Sequence, residues 1–586
     1  MPDLRLLNAE PSEAERIAID AALGAANGAN GRTARDDRTK RHLLLPALRA
    51  AQQRVGWVSE GALGYASRRL AVPPAEAYGV ASFYALIALE ERPPDVTHVC
   101  TDLSCMLKGA TVPEGAHPSP CLGLCERAPA SYRTIAGARP VEEQIPAVGP
   151  PLPQAGQPGL RLLRRIAAGV DPESIDAYIQ AGGFESLRHA RELGPGAVLR
   201  EVTESRLLGR GGAAFPTGVK WAAVAQQPAL PHYIVCNADE SEPGTFKDRL
   251  LMENDPHQLI EGCAICCFAV QANTCYIYIR GEYTKSAAIL ERALKEAYEN
   301  GLLGDSVLGS GFKLNMYIHR GAGAYICGEE TGMLESLEGK RGQPRVKPPF
   351  PAVVGAFGAP TVINNVETLC NVPHIITRGA DWFKGIGTDE RNTGPKLYAI
   401  SGHVDRPGTY EHPIGITFRE MLDKAGGMWK GRQLKAFIPG GASAPILKPD
   451  QIDLKMDFDS VAKAGSMLGS AAVIVMDETT CMVRSVARLS KFFNHESCGQ
   501  CTPCREGTNW MELVMDRLEH GQGTERDSQL LLSICKNIGG QSLCALGDAA
   551  IGPVKSLVDR FPEEIEQHVR QRGCPFPQPR YFENGA

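Results

Sequence analysis

The chain has 586 residues, 43% of them hydrophobic, enough for several buried cores and about three to five domains. A formal net charge of −5, with signs interspersed, gives no footing for nucleic acid or anionic lipid. Its 18 cysteines are too few for a disulfide scaffold, no apolar run is long enough to span a membrane, and Met1-Pro2-Asp3-Leu4-Arg5 lacks the layout of a secretion signal. A cytoplasmic protein with reduced thiols and no direct membrane insertion is expected.

Residues 9–90 have helical periodicity. Leucines and alanines recur over His42–Ala51, Ser59 is placed to cap a helix from Glu60, and Pro73-Pro74 opens another that should run through Tyr84. A strand-like Asp95–Val99 then leads into Cys100 and Cys105, followed by Cys121 and Cys125. Pairs at x₄ and x₃ spacing can hold the two irons of a [2Fe–2S] cluster; a zinc site or unrelated buried thiols are the alternatives. Ala136–Gly159 is rich in Pro and Gly, as a linker would be.

From about 160 to 400, strands such as Tyr233–Cys236 and Thr274–Ile279 alternate with helices such as Ser286–Glu299, the pattern of an α/β domain. The loop Leu207–Trp221 carries Gly209, Gly211 and Gly212 together with Arg210 and Lys220. Bare backbone there admits a phosphate or a flat ring, although neither the dinucleotide fingerprint nor the P-loop is present and an ordinary surface loop has the same composition. Two acidic segments, 235–249 and 321–331, follow strand-like or small-residue stretches, where α/β folds bind ligands; solvated acidic loops are the bland alternative.

Residues 396–446, with one helix over Phe418–Ala425, look like a small β-grasp insert, and beyond Asp477 the chain turns helical. There Cys498, Cys501 and Cys504 stand at C-x₂-C-x₂-C spacing. Three thiols on one turn grip three corners of a [4Fe–4S] cube, and a distant cysteine must supply the fourth. Cys544, flanked by turn-like residues and Gly547, is preferred over Cys535. Zinc fits less well, since no histidine follows at finger spacing.

Six ordered motifs carry a resemblance: 209–221, 237–249, 323–331, 339–351, 363–368 and 496–505. Over roughly 170–560 the chain resembles the NADH-binding flavoprotein subunit of respiratory complex I. That part follows a shortened copy, roughly 40–135, of the complex's thioredoxin-like [2Fe–2S] subunit. The resemblance implies a multidomain α/β protein in six parts. These are a helical N-terminal domain (1–92), a truncated thioredoxin-like [2Fe–2S] domain (93–136), a linker (137–159), an FMN- and NAD-binding α/β domain (160–395), an SLBB-like β-grasp domain (396–477) and a helical [4Fe–4S] domain (478–586).

It further implies FMN held by Gly209, Arg210, Gly211, Gly212, Lys220, Asn237, Asp239, Tyr325, Gly328, Asn364 and Asn365, with Glu329 beside them. NAD(H) would stack on Phe215 and Phe350 and meet Lys220, Glu242 and Glu330. Stacked rings suffice for hydride transfer, so no acid–base residue is expected to be catalytic. Only 15 residues separate Cys105 from Cys121, fewer than in the family, which thins the support of the [2Fe–2S] site. Fused chains of this kind resemble the NAD-coupling subunits of soluble formate dehydrogenases and of soluble NAD-reducing [NiFe] hydrogenases. The intact N-terminal quartet favours the formate enzyme over the hydrogenase, and the NADH-oxidising subunit of complex I is the further alternative. The expected partner is therefore a larger iron–sulfur subunit carrying molybdenum or tungsten, with hydrogenase subunits second. A zinc- or cluster-stapled assembly module without turnover is the competing class.

Overall fold

The structure is a computed structural model that describes residues 9–24 and 40–576. The outer domain limits at 1 and 586, and the reading of Met1-Pro2-Asp3-Leu4-Arg5, lie outside those residues.

Helices open the chain. Ser12 and Glu15 form a capping box on Glu13–Ala22, and the Ser59 hydroxyl accepts the Ala62 amide to start Glu60–Arg69. The helix begun at Pro74 stops at Ala81, short of the expected Tyr84. Apolar residues of this layer, among them Leu44, Leu48 and Val80, share a core with Val235, Tyr278 and Ile363 of the central sheet. The N-terminal helices thus cover one face of the α/β domain.

Among the described residues there are three four-stranded sheets. The first contains β1 (Asp95–Cys100), β2 (His117–Ser119), β3 (Ser131–Ile135) and β4 (Val141–Ile145), in the order β2-β1-β3-β4. Two expectations are corrected here. The short stretch after Cys105 still supplies an edge strand, β2, parallel to β1. The expected linker 137–159 begins with β4, fully paired with β3, so the thioredoxin-like sheet ends near 145 and not at 136. Val141-Glu142-Glu143-Gln144-Ile145 has too few apolar residues to stand out as a strand, but Glu142 is held by Arg49 and Arg320.

The second sheet is wholly parallel: β5 (Tyr233–Ala238), β6 (Thr274–Ile279), β7 (Asn315–Arg320) and β8 (Thr361–Asn365), in the order β7-β6-β5-β8. The chain steps outward from β5 to β7, then returns to the other side of β5. The point of reversal lies between β5 and β8, and outside the carboxyl ends of such strands is where open α/β sheets form a ligand crevice. The helix Pro256–Val270, buried almost throughout, closes the face opposite the N-terminal helices.

The third sheet joins β9 (Pro395–Gly402), β10 (Gly408–Pro413), β11 (Leu434–Ile438) and β12 (Ala472–Asp477) with two helices, Phe418–Lys424 and Phe458–Lys463. Five helices from Met482 to Gln571 follow. None of the described helices is long and apolar enough to cross a membrane.

Candidate functional site

The crevice is built where four strands end, with Asn237 of β5 beside Asn365 of β8 and Ile279 of β6 beside Arg320 of β7. Asn237 ties the end of β5 to the turn Tyr325–Gly328: its Nδ2 donates to the Gly328 carbonyl at 2.9 Å, and its Oδ1 accepts the Asp239 amide at 3.1 Å. Asn365 caps the helix Val366–Arg378, and Asn364 accepts from Trp221 Nε1 at 2.7 Å. Burial pushes the Asp239 carboxyl up to about 8, against the pull of Arg280.

The glycine loop closes over this edge. Gly209 N donates to Phe215 O and Thr217 N to Leu207 O, both at 2.9 Å, which pinches residues 209–215 into a loop at the start of the helix Thr217–Ala225. Gly212 takes φ +125°, and a Cβ on Gly211 would lie 3.0 Å from Asn365 Cβ. Such bare backbone against the strand ends fits a flat ring and its phosphate. The Arg210 guanidinium is fully buried inside this loop: it donates to Thr393 O and leaves Nε and Nη1 without a partner. Two orphaned buried donors behind the glycine backbone fit the FMN contact expected of this residue.

Charged side chains line the mouth in alternation. Lys220 Nζ reaches Glu330 at 3.2 Å, and Lys347 Nζ reaches Glu330 at 2.9 Å and Glu329 at 2.8 Å. Burial works against the Glu330 charge, but Lys220 and Lys347 outweigh it and hold its pKa below the usual range. Lys347 is a site residue that sequence reasoning misses. It lies within the motif Gly339–Pro351, but nothing in sequence spacing points a lysine at carboxylates 17 positions away. Phe215 and Phe350 are 50% and 57% exposed, unusual for phenylalanine, and Lys220 sits 5.8 Å from the Phe215 ring centre. Glu242 lies deeper than expected: it accepts from Tyr325 Oη at 2.5 Å and from Ser443 N and Oγ at 2.7 Å, joining the crevice to the β-grasp domain.

Both cysteine quartets assemble. Cys100, Cys105, Cys121 and Cys125 are 2–4% exposed, with Cys121 Sγ 3.5 Å from Cys125 Sγ and Cys100 close to Cys105 and Cys121. The thin local support is made up by other domains. Arg280 donates to Cys121 O, Arg249 to Gly123 O and Arg488 to Thr101 O, while Phe246, Ala399 and Ala472 pack against the second pair. Gly123, at φ +65°, has the Tyr283 hydroxyl 2.1 Å from where a Cβ would stand. Gly123→Ala should therefore open the Cys121–Cys125 turn and lower iron from about six to about four atoms per chain, leaving the [4Fe–4S] signal. Unchanged iron in that variant would mean the turn does not hold a cluster.

In the C-terminal quartet, Cys501 and Cys504 flank the start of the helix Thr502–Glu519, whose free amides suit an anionic cluster. Burial pushes the Cys544 thiol up to about 12, with Cys498, Glu329 and Cys504 adding to the rise. Cys535 keeps different company: its Sγ lies 3.9 Å from Met511 Sδ, and its charged neighbours are Lys555 and Asp559. The structure thus brings Cys544, not Cys535, to the other three. This quartet shares a wall with the crevice, since Tyr325 N donates to Glu496 at 2.8 Å and its ring packs edge-on to Phe492 at 5.1 Å.

Fold and site define a class: an α/β nucleotide crevice set between two thiol quartets, which is the layout of a flavin and iron–sulfur electron carrier. Family models match four stretches in chain order: a thioredoxin-like [2Fe-2S] ferredoxin over 31–112, a Nuo51 FMN-binding domain over 202–374, an SLBB domain over 396–475 and an NADH-ubiquinone oxidoreductase-F iron-sulfur binding region over 484–568. The first match ends before Cys121, so the second cysteine pair rests on the geometry. The NADH-quinone oxidoreductase F 2 subunit of Rhizobium meliloti is 55% identical over 417 residues, covering 71% of this chain and 99% of that one. The NADH-quinone oxidoreductase F-subunit of Streptomyces coelicolor is 50% identical over 403 residues, covering 69% and 90%. A chain of an NAD+-reducing [NiFe]-hydrogenase superposes with a TM-score of 0.75 at 30% identity, over 90% of this chain and 93% of that one. The chain belongs to the family of NADH-quinone oxidoreductase F-subunits. It has that family's FMN- and NADH-binding domain, together with [2Fe–2S] and [4Fe–4S] domains.

Proposed function

We propose that this chain is the NAD-coupling subunit of a larger complex, exchanging hydride with NAD(H) and passing electrons singly to a partner. The observation that carries the reading is the shared wall of crevice and C-terminal quartet. Tyr325, Glu329 and Glu496 each touch or influence both sides, so the exit lies against the site of hydride exchange. FMN, when bound, supplies the step from a two-electron donor to one-electron acceptors. For its part, the chain would hold FMN with Asn237, Asn364, Asn365 and the backbone of Gly209, Gly211, Gly212 and Gly328. Phe215 and Phe350 offer faces to the nicotinamide dinucleotide, Lys220 and Lys347 meet its phosphates, and Glu330 fixes both lysines. The N-terminal quartet, joined to the acidic loop through Arg280, which donates to both Glu240 O and Cys121 O, serves as a side reservoir or second exit.

Glu330→Gln should keep FMN but raise KM for NADH about tenfold or more, because a hydrogen bond to a charged group is worth about 1.5–3 kcal/mol. Glu242→Gln should act more weakly on KM and more on Tyr325. Steady-state NADH:ferricyanide kinetics test both, and unchanged KM in the two variants removes them from the site.

For the partner, a formate-oxidising subunit with molybdenum or tungsten remains the first reading, on the intact N-terminal quartet. The second, a [NiFe] hydrogenase, is favoured by the likeness over 90% of the chain, including the fused N-terminal part that the curated relatives lack. Co-purification with metal analysis separates them: molybdenum or tungsten for formate, nickel for hydrogen. A fully active isolated chain that reduces a soluble quinone would defeat both.

A further inference from the structure

Four side chains outside both quartets meet at the base of the C-terminal domain. Cys481 starts the helix Met482–Glu496, Glu519 ends Thr502–Glu519, His568 lies in the last turn of Pro562–Gln571, and Cys574 follows that helix. Their ligand atoms all lie within 4.8 Å of one another. Cys481 Sγ is 3.3 Å from His568 Nε2, which is 3.4 Å from Glu519 Oε2. Cys481, Glu519 and His568 are buried and Cys574 is half-buried.

Two thiols, an imidazole and a carboxylate make a four-donor set suited to zinc, whose bonds of about 2.0–2.3 Å place tetrahedral ligand atoms about 3.3–3.8 Å apart. The surroundings orient the donors. His568 Nδ1 lies 2.7 Å from the Glu564 carbonyl, which leaves Nε2 free to face the thiols, and Arg484 Nε holds Glu519 Oε1 at 2.7 Å, which leaves Oε2. A carbonyl-anchored imidazole is what a metal-binding histidine uses. The turn after Glu519 is pressed against the chain just before Cys574: a Cβ on Gly521 would lie 2.0 Å from Arg572 O.

We infer that Cys481, Glu519, His568 and Cys574 bind a structural zinc ion that clasps the last helix and the chain beyond it to the cluster-bearing helices. With four protein donors the site is closed, and it takes no part in electron transfer.

The test is metal analysis of the full chain purified without chelator. About one zinc per chain is expected beside about six irons. It should survive dialysis against EDTA and show sulfur scatterers near about 2.3 Å in zinc-edge X-ray absorption. Cys481→Ser with Cys574→Ser should lose the zinc while iron and flavin stay. If that pair does not fold, His568→Gln alone should lower zinc occupancy. Wild-type chain without zinc, zinc retained by the variants, or a Cys481–Cys574 disulfide in a non-reducing peptide map would overturn the inference.

Discussion

Cys544→Ala is expected to abolish the [4Fe–4S] resonance of the reduced protein while NADH still bleaches the flavin. The flavin crevice and the quartet are ligated by different side chains, so the loss is confined to the exit. Electron delivery to a partner should fall to background, with NADH:ferricyanide turnover largely kept, because a small oxidant can reach the flavin directly. Cys535→Ala, by contrast, removes a buried thiol packed on Met511 and should cost only core stability. A large-to-small change of this size leaves a cavity worth a few kcal/mol at most, not a missing cluster. Should Cys535→Ala erase the resonance and Cys544→Ala preserve it, the assignment of the fourth ligand is wrong.

The second large effect is expected far from any cofactor atom. Glu367, fully buried, accepts Lys396 Nζ at 2.7 Å, Lys247 Nζ at 2.9 Å and the Leu397 amide at 2.9 Å. Burial disfavours its charge, but Lys247 and Lys396 outweigh that and keep it ionised. Lys396 stands on β9, so this carboxylate fastens the β-grasp domain to the helix capped by Asn365. Lys247 also meets Asp248, which accepts Asn365 Nδ2 at 2.7 Å, so the network sets the floor of the crevice. Glu367→Gln removes the carboxylate that supports the charge of Lys396, whose pKa burial already pulls down to about 7, and takes one partner from Lys247. Breaking a buried pair typically costs about 3–5 kcal/mol. A lowered unfolding midpoint and poor FMN retention should appear together. Glu367→Gln combined with Lys396→Met, which removes both ends of the pair, should recover part of the midpoint. A single variant with wild-type midpoint and flavin content would show that the network does not support the site.

The motif residues were legible because their chemistry is local. Glycines 209–212, the acids after β5 and the three cysteines at 498–504 lie close in sequence and need only a turn to come together. Cys544 could be picked over Cys535 from its glycine-flanked surroundings, and the long apolar strands of the central sheet stood out by composition. What stayed hidden depends on long-range partners. Nothing in the sequence shows that the Arg210 guanidinium is buried and donates to Thr393, 183 positions away. Lys347 becomes a site residue only once the chain after Gly339 folds back on Glu329 and Glu330. Strand β4 is charged because Arg49 and Arg320, from two other domains, neutralise Glu142. The thin sequence between Cys105 and Cys121 suggested a weak site, whereas Arg249, Arg280 and Arg488 supply its support from outside.

The central claim is that one chain joins NADH oxidation to one-electron exit through clusters. Anaerobic titration of the purified chain with NADH, followed by optical and electron paramagnetic resonance spectroscopy, tests it most directly. The account predicts brown protein that releases about one FMN on denaturation and contains about six irons. On adding NADH, the flavin should bleach and the [4Fe–4S] resonance should rise with it. A colourless chain without flavin, or one whose clusters stay oxidised while NADH is present in excess, would contradict it.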